Sequence, residues 1–210
     1  RHRTHAAAVV GIAHQADGLL DLTRRTRVVA GRGTLRRLGE FTAPLGHRIA
    51  LITDEGLRTT GLIDRTKQSL EAAGLTVELF DQARSNPTET DIETCRAALA
   101  PFAPDVWIGL GGGSALDTAK AAALLSANGG RMRDYWGWAK AKTPARPVIA
   151  VPTTAGTGSE TQSYALISRD GDHRKLACGD PSIAPRLALL DPEVLHTCPR
   201  DVAITAALDT

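Results

Sequence analysis

Two stretches hold the residues whose types and spacing could do chemistry. Residues 106–120 read Val-Trp-Ile-Gly-Leu-Gly-Gly-Gly-Ser-Ala-Leu-Asp-Thr-Ala-Lys. The apolar run 106–110 has the composition of a buried parallel strand. Gly111, Gly112 and Gly113 follow, and Ser114 opens an alanine-rich helical segment with Asp117 three residues on. Glycines let the backbone come close to a ligand and take up positive φ, and the first turn of a helix offers unpaired N–H groups at its positive dipole end. That combination suits a pyrophosphate. It also suits a plain strand-to-helix turn, and three consecutive glycines are not the spaced G-x-G-x-x-G of the common dinucleotide fingerprint. The second stretch, residues 152–160, is Pro-Thr-Thr-Ala-Gly-Thr-Gly-Ser-Glu, with four hydroxyls and two glycines in nine residues. Such a loop offers N–H and O–H donors to phosphate or ribose oxygens.

Three further positions are chemically suggestive. Asp54 follows an apolar run and has two readings: a helix N-cap, or a carboxylate that accepts hydrogen bonds from an adenosine ribose and repels a 2′-phosphate, favouring NAD over NADP. Asn86 stands in an Asn-Pro-Thr loop, and Lys175 just after an Asp-Gly-Asp turn, where on its own it reads as an exposed cation.

The elements that must position these residues alternate. Strands are expected at 28–31, 48–53, 76–80, 106–110, 148–151, 163–168 and 187–190, the sixth forming half of a hairpin that turns at 170–172. Helices are expected to begin at 34–38, to run over 57–73, closed by Gly74, and 91–100, to follow the glycines as far as about 128–130, and to start again over 200–208. Alternation at this spacing means βαβ units, right-handed crossovers and a Rossmann-like, mostly parallel sheet flanked by helices, an α/β fold. Ligands of such sheets sit at the carboxyl ends of the strands. Asp54, Gly111–Ser114 and Asn86 all fall there. The aromatic patch 135–138 could line a ligand or anchor a surface loop on its own tryptophans. Residues 1–26 carry no usable pattern and read as a tail or extension, 27–198 as the α/β domain, and 199–210 as the start of another domain.

Composition narrows the classes. With 25 Lys and Arg against 23 Asp and Glu, and 4 % aromatic residues, the chain has neither the basic excess nor the interleaved aromatics of a nucleic-acid binder. Cys95, Cys178 and Cys198 lie far apart with no CxxC spacing, so neither a disulfide framework nor a zinc knuckle is expected, and a reducing cytoplasm is the simplest home. No run approaches the roughly 20 apolar residues of a membrane span. The basic start and short apolar run over 6–13 imitate a secretory signal only faintly.

Three signatures in one order, residues 111–120, 152–160 and the Leu-Asp-Pro-Glu-Val-Leu of 190–195, closely resemble the iron-containing (group III) alcohol dehydrogenase family. The resemblance runs from about Arg27 to Asp209. It implies an NAD(P)-binding α/β domain followed by an all-helical domain that holds a divalent metal, Fe or Zn. The substrate would be a small alcohol or aldehyde. The residues leave the oligomeric state open, a homodimer being one candidate. By resemblance, Gly111, Gly112, Gly113 and Ser114 would bind the pyrophosphate with Asp117 nearby, and Asp54 would select NAD. Thr153, Thr154 and Gly158 would approach the cofactor from the second loop, and Lys175 its nicotinamide ribose. Asp209 matches the first metal ligand. The family's three metal-binding histidines follow that position, whereas this chain ends at Thr210. His196 with Cys198, and His173, have no ligand spacing that replaces them. The sequence therefore reads as the cofactor-binding half of such an enzyme. A non-catalytic nucleotide-binding module and a glycerol dehydrogenase-like enzyme are the alternatives. Ile204, Ala207 and Leu208, on the last helix, are expected to be more exposed than their character suggests.

Overall fold

A computed structural model describes the backbone of residues 12–14, 20–23, 25–172 and 174–208, and the side chains of residues 25–172 and 174–204. In chain order the elements are β1 (Ile12–His14), β2 (Leu20–Thr23), β3 (Arg27–Ala30), α1 (Leu38–Thr42), β4 (Arg48–Ile52), α2 (Leu62–Ala72), β5 (Thr76–Phe80), α3 (Glu89–Leu99), β6 (Val106–Gly111) and α4 (Gly113–Asn128). They continue with β7 (Gly137–Trp138), β8 (Val148–Pro152), β9 (Tyr164–Ser168), β10 (Lys175–Gly179), β11 (Leu187–Leu190), α5 (Pro192–Leu195) and α6 (Arg200–Leu208). The main sheet runs β1-β2-β3-β11-β8-β6-β4-β5. Its six strands from β3 to β5 are parallel, and β1 and β2 extend the β3 edge as an antiparallel hairpin. This is the α/β architecture that the alternation of patterns implies.

Burial follows the chemistry of each strand. β6 and β8 lie inside the sheet and are buried at every residue, as continuous apolar runs require when both faces are covered. β5, at the edge, alternates toward solvent. Within β4 successive residues divide between two cores: Ala50 and Ile52 pack on the face with Ile92, Leu99, Trp107 and Leu124, and Ile49 and Leu51 on the face with Leu35, Leu62, Leu70 and Ile108. α4 is buried all along residues 115–125, which explains its alanines: a helix covered on all sides has room only for small and apolar side chains. It packs against β6, α3 and β9. Gly109 permits the close strand–helix approach, since an added Cβ would lie 3.0 Å from Leu116 Cα.

Two boundaries differ from the sequence expectation for physical reasons. The segment expected as one helix over 57–73 starts as a short 3₁₀ turn, Glu55–Leu57, and becomes helical only at Leu62. Gly61, at φ 73°, reorients the chain between them. α3 begins at Glu89 rather than at residue 91, because Thr88 is its N-cap. The Thr88 hydroxyl accepts from the N–H of Asp91, and the Asp91 carboxylate accepts from the N–H of Thr88.

Asp191 ties the loop after β11 to the loop after its neighbour β3. Its buried carboxylate accepts from the N–H groups of Gly33 and Leu35, at 3.0 Å each, and caps α5 through the N–H of Glu193 at 3.0 Å. Asp191→Ala orphans all three donors. A loss of at least about 2 kcal/mol in urea-unfolding stability is expected, at roughly 1–3 kcal/mol per buried unsatisfied group. A loss below about 0.5 kcal/mol, the usual effect of a surface change, would refute the clamp.

Candidate nucleotide-binding site

The loops after β4, β5, β6 and β8 converge at the carboxyl edge of the sheet. At their centre α4 begins at Gly113, with Gly112 as its N-cap (φ −75°, ψ −178°) and no side chain capping the first turn. An uncapped, glycine-built helix start leaves N–H donors and positive dipole for an anion. Two cavities flank it. One of about 520 Å³ is walled by Asp54, Gly112, Ser114, Thr153 and Thr154, and by Cys198 and Val202 from the end of the chain. The other, about 480 Å³, is walled by Asn86, Ser114, Asp117, Thr157, Ser159 and Lys175. Gly113 and Ser114 belong to both, so the two are lobes of one cleft astride the helix start.

Nine of the expected site residues therefore come together here: Asp54, Asn86, Gly112, Gly113, Ser114, Asp117, Thr153, Thr154 and Lys175. Gly111 and Gly158 are not among the walls. Gly111, at φ 152°, ends β6 where an added Cβ would lie 2.8 Å from Ala115 Cβ and 3.2 Å from Asp54 Oδ2, so it lets α4 and Asp54 approach the strand. Gly158, at φ 65°, makes a turn against Gln162. Asp209 and His173 lie outside the described residues.

Asp54 combines its two readings by dividing its oxygens. Oδ1 accepts from the N–H of Gly56 at 2.9 Å and caps the short turn, and the carboxylate still walls the first lobe. Asn86, at φ 53°, a region asparagine tolerates, joins three elements: its N–H donates to Ser114 Oγ at 3.3 Å, and its Oδ1 accepts from Lys175 Nζ at 2.7 Å. Lys175 is exposed, as its sequence context suggests, and this bond holds it at the wall of the second lobe.

Asp117 is occupied by the protein itself. Its carboxylate accepts from the N–H of Leu166 at 2.9 Å, from the Ser159 hydroxyl, and from Lys120 Nζ at 3.4 Å. Lys120 is fully buried and also donates to Ser159 Oγ at 2.7 Å and to the carbonyl of Tyr164 at 2.9 Å. Burial pushes the Lys120 ammonium below its ordinary range, opposed by the Asp117 carboxylate. This network ties the second loop and β9 to α4. Sequence reasoning placed Asp117 but gave Lys120 no role. The available signal was a charged pair three residues apart inside an otherwise apolar helix. Cys198 and Val202 were missed as walls, and nothing local marked them.

Trp138 packs on Tyr164, ring centroids 5.2 Å apart, and Trp136 and Trp138 are half exposed. Neither lines the cleft, so the aromatic patch anchors the small sheet β7-β10-β9.

The family model for iron-containing alcohol dehydrogenase matches residues 25–192. The chain belongs to the iron-containing alcohol dehydrogenase family. It is 38 % identical over 182 residues to an NAD-dependent methanol dehydrogenase of Bacillus methanolicus, covering 86 % of this chain and 48 % of that protein. It is 36 % identical over 180 residues to alcohol dehydrogenase 4 of Schizosaccharomyces pombe, covering 85 % and 43 %. Among solved structures it resembles a 1,3-propanediol oxidoreductase, at 28 % identity and a TM-score of 0.83, covering 87 % of this chain and 48 % of that one. The chain spans about half the length of these curated relatives. Among the described residues, no three His, Cys, Asp or Glu side chains stand together as a metal site, and His196 and Cys198 gather no further ligands. No described helix is long and apolar enough to cross a membrane. At the end of this part of the iron-containing alcohol dehydrogenase fold, α6 exposes Val202 and Ile204, the latter by 51 %. The side chains of Ala207 and Leu208 lie outside the described residues.

Proposed function

We propose that this chain is the NAD-binding part of an oxidoreductase that interconverts an alcohol with an aldehyde or ketone. The uncapped start of α4 between two lobes carries this reading, because a dinucleotide has an anionic pyrophosphate between two nucleoside ends. NAD, when bound, supplies the hydride acceptor. Gly112, Gly113 and Ser114 hold the pyrophosphate with backbone N–H groups. Asp54 takes the adenosine ribose in the first lobe, and Lys175, oriented by Asn86, the nicotinamide ribose in the second. Thr153 and Thr154 border the first lobe with hydroxyls. The 38 % identity to a protein named as an NAD-dependent methanol dehydrogenase supports the choice of cofactor. Among the described residues no three His, Cys, Asp or Glu side chains stand together to hold a divalent ion, and Asp209, the metal ligand that the resemblance implies, lies outside them.

Asp54→Ala tests the cofactor choice. The preference for NAD over NADP, measured as a ratio of dissociation constants by calorimetry, is expected to fall on the order of tenfold as the charge that repels the 2′-phosphate goes. An unaltered ratio leaves Asp54 as a cap only.

A further inference from the structure

A cavity of about 200 Å³ opens among the residues that begin β4, β6 and β8, at the sheet edge opposite the nucleotide cleft. Its wall includes Arg48, Arg96, Arg146, Trp107 and Ser126. Arg48 is spoken for: it donates to Asp105 Oδ1 at 3.0 Å, and that bond, with the N–H groups of Arg48 and His47, holds the Asp105 carboxyl down at about 2. Among the described residues neither Arg96 nor Arg146 is paired with a carboxylate, so one cavity wall carries two arginines without an ion-pair partner. Two buried donors of the same wall, Arg96 Nε and Trp107 Nε1, have no acceptor, although Trp107 is only 1 % exposed. Buried indole N–H groups ordinarily find partners. Arg96 lies in the last turn of α3, where a cation suits the helix end, but that explains neither Arg146 nor the orphaned indole.

We infer that this cavity binds a small phosphoryl dianion through Arg96 and Arg146, with the Trp107 N–H as a further donor. Planar guanidinium groups match the oxygens of such an anion. The volume is below the roughly 300–1,000 Å³ of pockets that take drug-sized ligands, which suits inorganic phosphate or a short phosphate monoester rather than a nucleotide.

The test titrates the chain with inorganic phosphate and, separately, with glycerol 3-phosphate at constant ionic strength. Calorimetry is combined with the fluorescence of Trp107, the last indole in a Trp136→Phe/Trp138→Phe background. Saturable binding that perturbs this fluorescence is expected, with Kd raised about tenfold by Arg96→Gln and by Arg146→Gln, the loss of one hydrogen bond to a charged group. Tighter binding of the ester assigns the monoester class, and equal or weaker binding assigns inorganic phosphate. The exposed Arg146 keeps the test usable if Arg96→Gln fails to fold. Absence of saturable binding, Kd unchanged by both arginine substitutions, or loss of phosphate binding in Gly112→Trp, which would place the anion at the glycine cradle, overturns the inference.

Discussion

Gly112→Trp is expected to raise the Kd for NAD on the order of 100-fold, about 2.7 kcal/mol, while the chain stays folded. The two effects separate because of what surrounds this glycine. Its φ of −75° is open to any residue, and an added Cβ would lie 3.4 Å from Thr154 Oγ1, an ordinary contact, so the backbone and first carbon fit. The rest of an indole has only the cleft to occupy, over the N–H groups of α4. Gly111 makes the contrast: at φ 152°, with Ala115 Cβ 2.8 Å from its added Cβ, substitution there should cost stability first. Calorimetric titration with NAD, alongside the urea midpoint of both variants, distinguishes them. Unchanged NAD affinity in Gly112→Trp would remove the pyrophosphate from this loop.

The largest stability effect is expected at Lys120. Lys120→Met leaves the Asp117 carboxylate buried without its cation, and removal of one partner from a buried pair costs about 3–5 kcal/mol. The loss has a local signature. Ser159 and the Tyr164 carbonyl lose their donor together, so amide exchange should accelerate in the second loop and β9 before the β4–β6 ladder responds. Because burial lowers the folded-state pKa of Lys120, the unfolded chain binds more protons as pH falls below the ordinary lysine value. Retaining this lysine therefore costs the wild type stability as pH falls into that window, and the variant should lose that part of the pH dependence. Urea midpoints across the alkaline range measure both terms. A destabilisation under about 1 kcal/mol would show that the pair is not a buried charge pair in solution.

The alcohol-turnover test is qualitative and follows from the proposed division of labour. The 210-residue chain should bind NAD and turn over no alcohol, and metal-dependent turnover by it would refute that division.

Much of this architecture was legible in the residues. The strands at 76–80 and 187–190 begin and end where the pattern placed them, since each is a short run bounded by turn residues. The glycine loop, the hydroxyl loop and Asp54 share one edge because parallel sheets put every such loop at the carboxyl ends of strands. Tertiary relations were less legible. Nothing near Gly61 shows that it takes a left-handed turn instead of sitting inside a helix. Lys120 looks like an ordinary surface charge until α4 is enclosed on all sides, and nothing local shows that the exposed Lys175 meets Asn86, 89 residues earlier. Arg48, Arg96 and Arg146 are scattered across nearly 100 positions and become neighbours only through the parallel register of β4, β6 and β8 and the packing of α3 beside them.

The enclosure of α4 has a mechanical corollary. Its first turn is the anion cradle and its second carries Lys120, so one rigid rod of 16 residues sets the position of both the cradle and the loop opposite. A methyl group too many at Ala121, Ala122 or Ala123, all fully buried, has nowhere to go sideways. The strain can relieve itself by sliding the rod along its axis, and a shift of even a fraction of the 1.5 Å rise per residue would carry cradle and loop off register together. Cofactor affinity in this protein is therefore exposed to substitutions in the core, at residues that do not wall the cleft.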